Sequence, residues 1–162
     1  MTHTERYLIR LAVMAMIVAA EALAEERRDA GRRIVVNIPD RRLMLIEGGE
    51  VVKTYTVAVG APATPTPSGM FEVVTRVTSP AWYRPGKVVP PGPNNPLGPR
   101  WIGLSRKGYG IHGTDSPRSI GGAKSHGCVR MRNADVEELF ELIQVGDIVE
   151  LQTGHVEGGG QY

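Results

Sequence analysis

From Ile34 onward the chain is written almost entirely in short β-branched runs that turn residues cut off before a helical period can develop, which excludes a helical bundle. RIVVNIP, RLMLIE and VVKTYTVAV follow one another with Asp40-Arg41 and Gly48-Gly49 between them, and this predicts a meander of strands. A stiff proline-containing loop, GAPATPTPSG, leads into an alternating strand from Phe71 to Val77. RWIGLS and GYGIHGT read as two more strands, with His112 near a strand end and Gly113 at a turn. One stretch alone, NADVEELFELIQV, has a helical period: Asn133 is the expected N-cap, Asp135 and Glu137 suit the positive helix start, and Val136, Leu139, Phe140 and Ile143 form one apolar stripe. Gly146 is expected to close that helix, and DIVEL to form the last strand.

The segment from Pro80 to Arg100 holds seven prolines and three glycines, and no regular structure is expected within it. A long stiff loop inside a compact domain usually forms a lid or a binding rim. Trp82, Tyr83 and Trp101 favour an ordered rim, because disordered segments are poor in aromatics, and Trp82 and Tyr83 are candidate substrate contacts.

A chain of 162 residues with 41% apolar and 22% charged residues suits one domain, and a monomer is expected. The net charge of +2 arises from 19 basic and 17 acidic residues spread along the chain without a Lys/Arg run, which disfavours a nucleic-acid partner. The N-terminal residues are different in kind. His3, Arg6 and Arg10 lead into the apolar run Leu11 to Ala20, too short to span a bilayer but of the size of a signal-peptide core. Ala22 and Ala24 supply the small residues for cleavage after Ala24, so residues 1–24 read as a signal peptide and the protein as exported, to the periplasm or cell envelope. An uncleaved anchoring helix is the alternative. Residues 25–33 form a charged leader, 34–151 the domain and 152–162 a flexible tail.

Export gives weight to the single cysteine, which cannot be half of an internal disulfide and is either an inert buried side chain or a reactive thiol. Cys128 follows Gly127 in the glycine-rich stretch GGAKSHGCVRM, where successive backbone N–H groups can converge on an anion. A thiol needs a base or cation to become a thiolate at neutral pH, and His112 and His126 are available. The bland reading, a buried cysteine with two unrelated histidines, fits each residue taken singly.

GIHGTDSPRSIGGAKSHGCVRM resembles the active-site signature of the L,D-transpeptidase (YkuD-type) family, a His-Gly-Thr followed by Ser-His-Gly-Cys, a hydrophobic residue and Arg or Asn. TPTPSGMF and NPLGPRWIGLS also resemble family segments, so the resemblance runs from about Ile34 to Leu151. It implies a mostly β fold, a sandwich or bent sheet, whose thiol acts on peptidoglycan stem peptides. By the same resemblance Cys128 corresponds to the nucleophile and His112 to the catalytic histidine, oriented by the carbonyl of Gly113. His126 and Gly127 would belong to the oxyanion region. Ser125 and Arg130 would face the substrate, with Arg132, Lys124 and Arg84 as further partners for its carboxylates, although Arg130 fits equally well as a structural brace of the loop. The implied reaction is acyl transfer from the third stem residue with release of D-alanine, an amine acceptor giving a cross-link and water a carboxypeptidase. Carbapenem-type β-lactams are the expected inhibitors, and no cofactor or metal is called for.

Two other readings remain. His112, His126, Cys128 and His155 could ligate zinc, although His-x-Cys is too tight for a standard half-site. A catalytically silent wall-binding domain could keep the fold, but it would have no need of a nucleophile.

Overall fold

A computed structural model of the chain describes residues 10, 13–17 and 31–154. The expected signal segment, most of the leader and the tail beyond Gly154 therefore lie largely outside the described residues, and among those described no helix is long and apolar enough to cross a membrane. The chain divides into a unit over 1–31, in which residues 13–17 are helical, and a unit over 32–162 that carries the fold.

The second unit is mainly β. Strands β1 (Arg33–Asn37), β2 (Arg42–Glu47) and β3 (Glu50–Thr56) form the expected antiparallel meander. After the short β4 (Val59–Gly60) comes β5 (Gly69–Thr78), then β6 (Trp82–Arg84), β7 (Lys87–Val89), β8 (Arg100–Leu104) and β9 (Gly110–His112). The chain continues through a 3-10 turn (Pro117–Ser119), β10 (Ala123–Ser125) and β11 (Val129–Arg130) to helix α1 (Asn133–Leu142) and β12 (Ile148–Gln152).

Eight strands make one sheet in the order β11-β9-β8-β5-β12-β1-β2-β3. Strand β5 bends it: Gly69 to Glu72 pair with β12, whereas Val73 to Thr78 pair with β8, and the register shifts between Val73 and Thr75. A bulge at that point swings the second half of the strand away from the first, so the bent-sheet expectation holds. Ile34, Val36, Leu43, Leu45, Ile102, Ile111, Val129 and Val149 face inward, and α1 covers them with Val136, Leu139 and Phe140. Arg76 and Arg100 flank Phe140, their guanidinium carbons 4.1 and 5.3 Å from the ring centroid, and Arg76 also donates to the Phe140 carbonyl. These contacts hold the helix against the sheet.

Three expectations need correction. The proline-rich segment contains regular structure: β6 and β7 pair as a hairpin closed by Pro85-Gly86, with Gly86 at φ +73°. Proline followed by glycine at positive φ is what a tight two-residue turn requires, and three-residue strands are too short to show a period through the surrounding prolines. Asn133 is not the N-cap; Arg132 occupies that position without a side-chain cap, and the Asn133 Oδ1 instead accepts the N–H of Thr114 at 2.8 Å. The helix ends at Leu142, and Gly146 (φ +96°) sits in the following turn, donating its N–H to Val73.

Candidate active site

Strands β8, β9 and β11 place the chemistry. Parallel pairing of β11 with β9 sets Val129 opposite Ile111 and Arg130 opposite His112. Val129 and Ile111 point into the core, both essentially unexposed, so the alternation of a strand turns Cys128 and Arg130 to the other face beside His112. On β8, Trp101 is the register partner of His112, and the two rings stack with centroids 5.7 Å apart and planes 25° apart. Trp101, His112 and Arg130 thus form one cross-strand row, with Cys128 next to its end.

Glycines make the row possible. A Cβ on Gly103 or Gly110 would meet the Trp101 indole at 2.9 or 2.6 Å, so these two register partners form a floor on which the indole lies. Gly113 is crowded by the Asn133 Oδ1 and Pro99, which a Cβ would meet at 2.5 and 2.8 Å. Its carbonyl is held at 2.6 Å from the His112 Nδ1. A carbonyl only accepts, so Nδ1 carries the proton and Nε2 is left as the basic nitrogen. His112 is 5% exposed, and its pKa is lowered to about 4 chiefly by burial, with the Arg130 charge adding to that effect and the Gly113 carbonyl opposing it. At neutral pH the ring is an uncharged base.

Cys128 is half-buried, and its thiol lies 3.6 Å from the Gly108 carbonyl, which it can address as donor. Burial raises its pKa above the ordinary thiol value, while a backbone hydrogen bond from Gly110 and the charge of Arg130 pull the other way. The resting pair is therefore neutral thiol and neutral imidazole. Desolvation outweighs the pull of the adjacent cation toward a thiolate.

The loop before the thiol is braced by Ser125, 2% exposed, whose Oγ donates to the Cys128 carbonyl at 2.5 Å and accepts the Gly127 N–H at 3.0 Å. Ser125 thus acts on the loop from within it, and Gly127 contributes conformation: φ is +112°, and a Cβ would lie 2.8 Å from the Tyr109 ring. The backbone of Arg130 exchanges two 2.8 Å hydrogen bonds with Ala58, and the Met131 N–H donates to the His112 carbonyl at 2.8 Å. Its guanidinium Nε is buried with no partner.

These groups open onto a cleft of about 450 Å³ lined by Cys128, His112, His126 and Arg130 together with Trp82, Tyr83, Pro96 and Leu97 of the proline-rich segment. His126, exposed on the rim, differs from the buried His112. The structure brings Cys128, His112, His126, Ser125, Arg130, Trp82 and Tyr83 together in the lining, with Gly113 and Gly127 behind it, and leaves the exposed Arg84 outside. Lys124 and Arg132 are exposed and do not line it. Gly108, Asn133 and Asn95 are the residues sequence reasoning does not find as site components, and Trp101, expected in the proline-rich rim, stacks on His112 instead; the NPLGPRW segment is the available pointer to Asn95. Among the described residues no three His, Cys, Asp or Glu side chains converge as a metal site would need, and His155 lies outside them.

Residues 31–151 match the family model of the L,D-transpeptidase catalytic domain. The chain is 43% identical over 119 residues to the Bacillus licheniformis protein named "Putative L,D-transpeptidase YkuD", covering 74% of this chain and 64% of that one. The chain thus spans just under two thirds of that relative's length. In fold it resembles an L,D-transpeptidase from Mycobacterium smegmatis, with a TM-score of 0.63 at 22% identity over 76% of this chain and 60% of the other. It also resembles an L,D-transpeptidase solved in complex with imipenem, with a TM-score of 0.62 at 21% identity over 75% and 60% of the two chains. With its thiol and its oriented imidazole set on the bent sheet that these proteins share, the chain belongs to the L,D-transpeptidase catalytic domain family.

Proposed function

We propose that the chain is a cysteine-dependent L,D-transpeptidase acting on peptidoglycan stem peptides. The observation that carries this reading is the neutral thiol of Cys128 in one cleft with an imidazole whose Nδ1 is tied to the Gly113 carbonyl, leaving Nε2 basic. The Cys128 sulfur attacks the carbonyl of the third stem residue as its proton passes to Nε2 of His112. The carbon–nitrogen bond to the terminal D-alanine then breaks, the leaving amine takes the proton from His112, and a thioester remains on Cys128. An amine of a second stem attacks the thioester, gives its proton to His112 and leaves with the acyl group, which restores the thiol. Water in place of the amine would make the product of an L,D-carboxypeptidase.

Neither partner is charged at rest, so the two charges form only as the sulfur attacks. Arg130 favours the thiolate and disfavours the imidazolium. A stem carboxylate paired with its unpartnered guanidinium would relieve the second effect and bring substrate binding and proton transfer into step. His126 and the backbone beside it would face the developing oxyanion. The solved relative with imipenem supports carbapenems as acylating inhibitors. Export, with a mature N-terminus at Glu25, would bring the enzyme to its wall substrate in the periplasm or envelope. Incubation of the purified protein with tetrapeptide stems and mass spectrometry of the products tests the reading: cross-linked dimer with released D-alanine supports a transpeptidase, tripeptide alone supports the carboxypeptidase, and unchanged stems refute both.

A further inference from the structure

The proline-rich wall of the cleft has an internal problem of hydrogen bonding. Prolines supply carbonyls but no N–H groups, and seven of them fall between Pro80 and Arg100, so carbonyls outnumber the local donors. Asn95 answers it with a side chain that is fully buried. Its Nδ2 faces the carbonyls of Pro80 at 2.8 Å, Val89 at 3.2 Å and Pro90 at 3.1 Å, and its Oδ1 accepts the N–H of Leu97 at 2.8 Å. Its backbone N–H donates to Gly92 and its carbonyl accepts from Gly98, each at 3.0 Å.

The partners matter because of what adjoins them. Pro80 precedes Ala81, Trp82 and Tyr83, and Asn95 precedes Pro96 and Leu97; all five of these neighbours line the cleft that holds the thiol. One amide therefore joins the chain entering the wall, the end of the β6–β7 hairpin and the chain leaving it. We infer that Asn95 is the positioning residue that fixes the width of the peptide cleft by locking the Pro80–Tyr83 and Pro96–Leu97 stretches to each other. This rests on the reading of the cleft as a stem-peptide site. Asn95 touches neither Cys128 nor His112, so its effect should appear on large acyl donors and not on the thiol itself.

The test compares Asn95→Ala and Asn95→Asp with wild type. The second variant keeps an acceptor for Leu97 and removes the donors. Hydrogen exchange is read first, because it needs no substrate. Asn95→Ala should speed exchange at least tenfold both at Ala81–Tyr83 and at Leu97, whereas Asn95→Asp should speed it at Ala81–Tyr83 and leave Leu97 protected. Exchange raised at Leu97 alone, or at neither stretch, overturns the clamp whether or not the protein turns over stems. Alkylation by iodoacetamide, which senses only the thiol and its base, should stay within twofold of wild type. The kcat/KM for a tetrapeptide stem should fall tenfold or more, mostly through KM. Equal losses in both reactions would make Asn95 a general stability residue and refute the positioning role. A wild-type protein inert to stems but with the expected exchange pattern would refute the transpeptidase reading and leave the clamp standing.

Discussion

The two walls of the cleft are built by opposite means. The catalytic wall is strand on strand: β11 is held by β9 on one side and by Ala58 on the other, and its inward residues Val129 and Ile111 are part of the core. The facing wall is a small hairpin with largely exposed strands, tied down by the fully buried amide of Asn95. Hydrophobic burial fixes the first, as the proposed proton transfer between sulfur and nitrogen would require. Hydrogen bonds to a few carbonyls fix the second, which suffices to shape a groove and leaves its outer edge free to vary. Chemistry and selectivity are thereby separable, and variants on the two sides should behave differently.

The largest effect expected on the catalytic side is that of Cys128→Ser. Loss of the thiol should cut acylation by stem peptide or imipenem about a thousandfold or more, while the melting temperature stays within about 2 °C, since the half-buried sulfur makes only a long 3.6 Å contact. Intact-mass kinetics measure the first and calorimetry the second. An adduct forming on the variant at the wild-type rate would remove Cys128 from the mechanism.

The burial that neutralises His112 should also be visible in stability. The folded pKa of about 4 lies below the ordinary 6.5, so the fold favours the neutral ring. That contribution is complete above about pH 6.5 and is lost as the pH falls toward 4, because the unfolded chain takes up the proton first; its upper limit is about 3 kcal/mol. Urea unfolding of wild type and His112→Gln should show the wild type losing up to that amount more than the variant between pH 7 and pH 4. Parallel losses would mean that the ring is solvated and that the catalytic wall is less tightly built than the facing one is loose.

Arg130 lies between the two kinds of wall, with its backbone in the strand lattice and its guanidinium in the cleft. Arg130→Gln keeps the backbone pairing and removes the charge. If the guanidinium holds a stem carboxylate, the loss of one charge-assisted hydrogen bond, about 1.5–3 kcal/mol, lowers kcat/KM for stems by roughly 10- to 150-fold. A neutral thiol reagent should be affected far less. Equal slowing of both reactions would assign Arg130 to bracing the thiol loop.

The same division explains what could be read from the sequence. The strands of the meander were legible because their apolar residues recur with period two against Asp40-Arg41 and Gly48-Gly49. Cys128, His112 and Gly113 were legible because the proposed chemistry calls for those residue types in a recognisable motif. The alignment of His112 with Arg130 was not, since it depends on a parallel register across a glycine-rich crossover that no local period encodes. Asn133 looked like a cap because asparagine before a helical stripe usually is one; its Oδ1 was instead taken by Thr114, a tertiary partner. Asn95 was hidden for the same reason, its carbonyl partners being distributed over the whole proline-rich segment. The resting protonation states are not legible in the sequence, because composition shows which cations are near but not how much water has been removed.

The smallest effect is expected at the outer edge of the facing wall. Tyr83 lines the cleft yet is 71% exposed, pairs across the hairpin with Val88, and is not among the hydrogen-bond partners of Asn95. An aromatic that keeps most of its surface in water gains little from a ligand, about 0.5–1 kcal/mol, so Tyr83→Ala should raise KM for stem peptides roughly two- to fivefold. The kcat, the iodoacetamide rate and the melting temperature should not move, because neither the core nor the Asn95 amide is touched. Steady-state kinetics with stems truncated from the acyl-donor end would sharpen the result: a KM penalty that vanishes with shorter stems places the Tyr83 contact at the removed residues. A change in the iodoacetamide rate would instead show Tyr83 shielding the thiol from solvent, and the hairpin would then belong to the catalytic wall as much as to the groove.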